Sequence, residues 1–267
     1  MKMVFIGGGN MGEAMVHAVL EKGMAKADEI TVSDVSGTRR SHLAKRYGVN
    51  TESDNRTTVG KADIVVIAVK PASLPVVSAE LKGLFQSTQT VVSIVAGAPL
   101  SLLYERLGHT GVVRCMPNMP AQVGEGMTVW IAAEGVDEEG KKTVASLLGS
   151  LGREIRVEDE KLIDMATAVS GSGPGFVFLI IESLIDAGVQ IGLPRDLSQE
   201  LVLETILGST RMVRQSGKHP AELRNQVTSP GGTTAEGLLR LESGGIRALI
   251  AQAVIAAYDK ARALTGG

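Results

Sequence analysis

Met3, Val4, Phe5 and Ile6 form a short unbroken apolar run, and Gly7, Gly8 and Gly9 follow it directly. Beyond the glycines, Met11, Met15, Ala18 and Val19 recur at i, i+4, i+7 and i+8, the spacing of one helical face. The pattern predicts a buried strand, a tight turn and an amphipathic helix. A second strand is predicted over 30–34 and a helix over 38–47, followed by a short segment at 48–51. Residues 64–69 are continuously apolar and β-branched, as expected of a central parallel strand buried on both faces, and Pro71 stops it. Residues 91–95 and 112–116 repeat that pattern with helical stretches between, and 127–132 and 153–157 add two more strands around a helix at 137–151. Alternating β and α with short loops predicts an α/β, doubly wound sheet. Past Val157 the strand pattern stops. Helices are predicted over 160–168, 174–191, 194–216, 221–227, 234–241 and 245–264. The expected organisation is therefore an α/β domain at 1–158 and an all-α domain at 159–267.

Composition narrows the function more than the fold. Of 267 residues, 44% are hydrophobic and 21% charged, which is ordinary for a globular chain. A formal net charge of −2 gives no general attraction to nucleic acid or an anionic membrane, so a small-molecule partner is expected. Cys115 is the only cysteine, which excludes an intrachain disulfide and fits a reducing compartment. The apolar run from Phe176 to Ile181 stops at Glu182, so a cytoplasmic, unanchored protein is expected. His17, His42, His109 and His219 are scattered without metal-ligand spacing, and no metal site is predicted.

The first strand, glycine turn and helix arrive in the order that a dinucleotide site needs. In Gly7-x-Gly9-x-x-Gly12 the first glycine permits the turn, the second lets backbone approach a pyrophosphate, and the third lets helix pack on strand. The phosphates would lie on the N–H groups of the helix start. Asp34 ends the second strand 22 residues past Gly12, where such Rossmann folds place a carboxylate on the adenosine ribose. Ser36, Thr38, Arg39 and Arg40 follow and could hold a 2′-phosphate, so NADP is favoured slightly, with NAD as the alternative. By the switch-point rule the ends of the strands, at Gly7 to Gly12, Asp34, Val69 to Pro71, Ala96-Gly97 and Met116 to Asn118, share one crevice.

Two stretches stand out in the helical half. Around Ser229-Pro230-Gly231-Gly232-Thr233-Thr234, a plain reading makes Thr233 an N-cap with Glu236 completing a capping box. The same turn offers unpaired N–H groups and the hydroxyls of Ser229, Thr233 and Thr234, which is how a neutral loop holds a carboxylate. The companion stretch Ser170-Gly171-Ser172-Gly173-Pro174 reads equally as a tight packing joint or a place for close ligand approach. Apolar residues such as Leu179, Ile180, Leu184 and Leu201 exceed what short solvent-facing helices need, which predicts an oligomer.

Phe5-Ile6-Gly7-Gly8-Gly9-Asn10-Met11-Gly12, Val69-Lys70-Pro71, Arg114-Cys115-Met116-Pro117-Asn118-Met119-Pro120, Ser170 to Pro174 and Val227 to Thr234 together resemble the pyrroline-5-carboxylate reductase family, in order and spacing from end to end. The resemblance implies hydride transfer from NAD(P)H to carbon 5 of 1-pyrroline-5-carboxylate, giving L-proline. It also implies an N-terminal NAD(P)-binding Rossmann domain and a helical C-terminal domain for substrate binding and dimerisation, with higher homo-oligomers built from such dimers. By that resemblance Ile6, Gly7, Gly8, Gly9, Asn10, Met11, Asn55, Ala68, Val69, Lys70, Pro71, Ala96 and Gly97 match cofactor contacts. Ser229, Gly231, Gly232 and Thr233 fall in the loop for the substrate carboxylate, and Thr234 matches the hydroxyl near the ring nitrogen.

The chemistry is consistent with that resemblance. A ketone reductase generally needs a proton donor near the carbonyl, whereas a protonated cyclic imine is already electron-poor. Residues 169–190 contain no lysine, unlike the helix that carries the catalytic lysine in the architecturally similar hydroxyacid dehydrogenases. Those dehydrogenases, other imine reductases and a non-catalytic NAD(P)-binding sensor are the competing readings. Cys115 is expected to be a buried strand cysteine rather than a nucleophile.

Overall fold

A computed structural model of the chain describes residues 1–265. The first half alternates as expected: β1 (Met3–Ile6), α1 (Asn10–Glu21), β2 (Ile30–Ser33), α2 (Gly37–Tyr47), β3 (Asn50–Glu52), β4 (Ile64–Ile67), α3 (Leu74–Leu81), β5 (Thr90–Ser93), α4 (Leu100–Leu107), β6 (Val112–Met116), β7 (Gly126–Ala132), α5 (Glu138–Gly149) and β8 (Gly152–Arg156). The strands form one sheet in the order β3-β2-β1-β4-β5-β6-β7-β8. All neighbours are parallel except β6 and β7. Only the short turn Met119–Val123 joins that pair, too little chain for the crossover that a parallel pair requires.

Every residue of β1, β4 and β5 is buried, which explains their apolar or β-branched composition, broken only by Ser93 at the end of β5. Met15, Ala18 and Val19 of α1 are buried as the spacing predicts, while Met11 packs only partly against the core. Helix ends follow local chemistry. Ser36 caps α2 by accepting from the Arg39 N–H at 3.3 Å, and Gly48 ends it in the left-handed region at φ 69°.

The helical half comprises α6 (Lys161–Ala166), a π-turn at Thr167–Gly171, then α7 (Gly173–Gln190), α8 (Arg195–Ser216), α9 (Pro220–Gln226), α10 (Thr233–Ser243) and α11 (Ile246–Thr265). The glycine stretch after Ala168 is thus a π-turn rather than a loop between two helices. Within this half Ser198 of α8 donates to the Ile185 carbonyl of α7 at 2.8 Å. Gly188 makes that approach possible, since a Cβ there would stand 2.2 Å from Ser198 Oγ. α7 nevertheless buries only Ile185 among its residues, leaving Leu179 61% exposed.

By contacts the chain divides into Met1–Ser172 with the residues from Ala257 onward, and Gly173–Ala256. The first unit runs past the last strand because α6 is tied to β6. Arg114 on β6, only 4% exposed, donates to Glu160 Oε1 at 2.9 Å and to Asp164 Oδ1 at 2.6 Å. Glu160 Oε1 also accepts from the Leu100 N–H at the start of α4. Removing the arginine would leave two partly buried carboxylates without their counter-ion. Arg114→Ala is therefore expected to lower stability by about 3–5 kcal/mol, read as a shift in the urea midpoint at constant slope.

Candidate dinucleotide site and candidate carboxylate loop

The β1–α1 turn requires glycine at two positions for different reasons. Gly7 has φ 104°, and a Cβ on it would stand 2.6 Å from the Ala68 carbonyl oxygen of the chain leaving β4. A Cβ on Gly12 would stand 2.3 Å from the Gly7 carbonyl oxygen, so α1 can lie this close to β1 only without a side chain there. Gly9 differs: a Cβ there would meet nothing within 4 Å. It is the N-cap of α1, with no side chain capping it, so the first-turn N–H groups have no intrahelical acceptor. A glycine whose only visible constraint is the space beside it fits a cradle for a pyrophosphate.

Gly8 is fixed from both sides. Its N–H donates to Asp34 Oδ2 at 2.8 Å, and its carbonyl accepts from Arg39 Nε at 2.8 Å and from Arg39 Nη2. Arg39 is in turn paired with Glu13 of α1, which also accepts from His42 at 2.9 Å and Tyr47 at 3.1 Å. Burial raises the Glu13 pKa, but the hydrogen bonds from His42, Arg39 and Tyr47 outweigh it and hold the carboxyl down at about 2. Asp34 is likewise engaged, since its Oδ1 accepts from the Ser36 N–H at 2.8 Å. Arg40 Nη1 donates to the Asp34 carbonyl at 2.6 Å, and no carboxylate among the described residues pairs with Arg40.

A cleft of about 280 Å³ lies at the carboxyl ends of β1, β2 and β4. It brings together Ile6, Gly7, Gly9, Asp34, Asn55, Ala68, Val69 and Lys70 of the expected cofactor residues. Ser33, Val35, Ser73 and Val77 also line it and were not foreseen. Gly8 supports the turn from behind, and Met11 packs against the core. Asn10 lines a separate depression with Glu13, His17 and Tyr47. Pro71 opens the 3-10 turn Pro71–Ser73, Ala96 is half-buried, and Gly97, at φ 73°, approaches Leu264. Cys115 is buried and donates to the Ser93 carbonyl, and burial pushes its thiol pKa up, so it stays protonated.

In the helical unit Ser229 and Gly231 lie in the turn before α10. The expected cap at Thr233 is displaced by one residue: Gly232 is the N-cap, without a side-chain hydrogen bond, and Thr233 is already helical. The reason is local. Gly232 N donates to the Ser229 carbonyl at 3.1 Å, and Ser229 Oγ lies 2.3 Å from where a Gly232 Cβ would stand. With no side chain capping the helix, the N–H groups of Thr233, Thr234 and Ala235 have no intrahelical acceptor.

A glycine turn between the first strand and helix of a parallel sheet, an acidic residue at the end of the second strand and a cleft over the strand ends define a Rossmann dinucleotide-binding protein. The chain is 40% identical over 264 residues to the Arabidopsis thaliana pyrroline-5-carboxylate reductase, covering 99% of this chain and 95% of that protein. This chain belongs to the pyrroline-5-carboxylate reductase family. The Synechocystis pyrroline-5-carboxylate reductase is 39% identical, over 97% of this chain and 96% of that one. Residues 160–264 match the family described as pyrroline-5-carboxylate reductase dimerisation, and 2–97 match NADP oxidoreductase coenzyme F420-dependent. The Coxiella burnetii pyrroline-5-carboxylate reductase structure superposes with TM-score 0.89 at 37% identity, over 99% of this chain and 98% of that one. The Plasmodium falciparum pyrroline carboxylate reductase, solved with NADP bound, gives 0.91 at 36%, with the same coverage.

Two measurements check the geometry of the turn. Gly9→Ala is expected to weaken NADPH binding at least tenfold while leaving the melting temperature nearly unchanged, whereas Gly12→Ala should cost about 1–3 kcal/mol of stability through its clash with Gly7. For Glu13, a folded-state pKa below the ordinary 4.5 means stability that is present above pH 4.5 and lost as pH falls toward 2. Glu13→Gln should therefore flatten the pH dependence of stability in that window and cost on the order of 2–3 kcal/mol at pH 7, read from urea unfolding at several pH values.

Proposed function

We propose that the protein reduces 1-pyrroline-5-carboxylate to L-proline with NAD(P)H, NADPH being the preferred reductant and NADH the alternative. The observation that carries this reading is the pairing, in one chain of this family, of the glycine cradle at Gly7 to Gly12 with an uncapped helix start at Gly232. When bound, the dinucleotide supplies a hydride from the nicotinamide C4 to carbon 5 of the imine. The protein's own contribution is positional. The N–H groups at the start of α1 hold the pyrophosphate, and Ile6, Ala68, Val69 and Lys70 line the cleft beside it.

The turn from Ser229 to Thr233 anchors the substrate carboxylate through the Ser229 hydroxyl and the free N–H groups of α10. Thr234, on the first turn of that helix, hydrogen-bonds the ring nitrogen. Orientation matters more than acid catalysis, because a protonated imine is already an iminium. NADPH is favoured because both Asp34 oxygens are occupied by backbone N–H groups, and Arg40, without a carboxylate partner among the described residues, stands at the same turn.

We assign residues 1–158 to the cofactor domain and 159–267 to substrate binding and dimerisation. The family's dimerisation match and the exposed apolar residues of α7 and α8, such as Leu184 and Leu201, support a homodimer and larger homo-oligomers built from it. Lys161–Gln190 is long and apolar enough to cross a membrane by length and composition. We assign its apolar face to the dimer instead, because Glu182 and Asp186 interrupt it, and we place the protein in the cytoplasm, with neither nucleic acid nor membrane as partner.

The test is proline formation from 1-pyrroline-5-carboxylate with each cofactor. Turnover is expected with both and faster with NADPH. Thr234→Ala should lower kcat/KM for the imine about 10- to 100-fold with NADPH binding intact, the loss expected for a hydrogen bond to a charged group. Unchanged kcat/KM would remove Thr234 from the mechanism, and absence of turnover would sink the assignment.

A further inference from the structure

We infer that Glu80 is a positioning residue that fixes the Asn55 amide, so that Asn55 presents its carbonyl oxygen to the nucleotide cleft as an acceptor for a ribose hydroxyl. The inference rests on the dinucleotide reading above and adds the group that orients one of its contacts. Asn55 is only 9% exposed and opens the 3-10 turn Asn55–Thr57 at the edge of the cleft that it lines. Its backbone is held: Thr58 Oγ1 donates to the Asn55 carbonyl at 2.8 Å, and Asp54 Oδ1 accepts from the Arg56 N–H at 3.0 Å.

The side chain is held as well. Asn55 Nδ2 donates to Glu80 Oε2, on the last turn of α3, at 2.7 Å. An ionised carboxylate can only accept, so the NH₂ end of the amide must face Glu80 and the oxygen must face away. That oxygen accepts from no described residue and is not sealed in the interior. The neighbouring cation does not compete for Glu80, because Arg56 is held by Asp54 at 2.9 Å through Nε and 2.8 Å through Nη2. Asn55 therefore offers the cleft a fixed acceptor, which suits a hydroxyl and disfavours a phosphate. In NADPH the donor that remains on the adenosine ribose is the 3′-hydroxyl, whereas NADH offers both the 2′- and the 3′-hydroxyl.

Titration of the dinucleotide's own fluorescence without imine, on the full-length protein, tests the assignment independently of turnover. Glu80→Ala and Asn55→Ala are each expected to raise the NADH dissociation constant about tenfold, and the double variant to be no weaker than the weaker single one, because Glu80 acts through Asn55. Glu80→Gln, which can present either end to the amide, should fall between wild type and Glu80→Ala. The same loss with NADPH identifies the 3′-hydroxyl, and a loss confined to NADH identifies the 2′-hydroxyl. Melting temperatures separate positioning from support of α3, a purely structural role lowering Tm while leaving the dissociation constant unchanged. The assignment is overturned if Glu80→Ala or Asn55→Ala binds within twofold of wild type, or if the two losses multiply to about a hundredfold. Wild-type protein that binds neither dinucleotide would overturn the underlying reading instead, a result visible before any variant is made.

Discussion

The peptide at Gly8 is held at both ends, and the cofactor edge of the sheet depends on it. Asp34 at the end of β2 takes its N–H, while Arg39 from the first turn of α2 takes its carbonyl. A glycine turn left to itself samples many conformations, and that freedom is costly to lose on binding. Here two side chains from the next βα unit remove it in advance. Glu13 then closes the circuit by tying Arg39 back to α1. The turn is consequently set by the packing of α1 against α2 as much as by its own three glycines.

The same economy of partners recurs elsewhere in the first unit. Arg114 joins β6 to α6, and Glu160 simultaneously caps α4 through the Leu100 N–H. Each of these charges is buried or half-buried and none is alone, as the cost of an unpaired buried charge requires. Cys115, immediately before Met116 at the end of β6, has no charged partner. Burial alone acts on it and keeps it a thiol, which leaves it a packing residue of β6.

Local pattern makes the sheet legible because a parallel sheet buries whole strands: the apolar runs at 64–69 and 91–95 mark β4 and β5, though the strands themselves end at Ile67 and Ser93. The glycine turn was legible because sterics restrict Gly7 and Gly12 to glycine. The clamps were not. Glu13 meets Arg39 from 26 residues away and Asn55 meets Glu80 from 25, and nothing at either position marks the partner, since such pairs are set by how helices pack over strands. The π-turn at Thr167–Gly171 is not legible in the sequence for another reason. Small residues permit a break, a joint or a widened helix equally, and tertiary contacts choose among them. The one-residue error at Thr233 is of the same kind: the capping-box spacing was present, but Ser229 folds onto Gly232 and takes the cap position with it.

Under the proposed function, the two halves solve one electrostatic problem twice. A pyrophosphate and a carboxylate are both anions that must be held without being neutralised by a buried lysine or arginine, whose own desolvation would be costly. A helix start whose cap is a glycine leaves N–H groups pointing outward, with partial positive charge and no side chain in the way. Gly9 at α1 and Gly232 at α10 both have that form. Neither cap forms a side-chain hydrogen bond, which α3, α4, α6 and α8 share; what sets α1 and α10 apart from these is that the cap residue is glycine. A side-chain cap stabilises a helix by occupying the groups that an anion would use. A cap that is itself glycine leaves those groups without a side chain of its own over them, and under the proposed function that is the feature the two helix starts share.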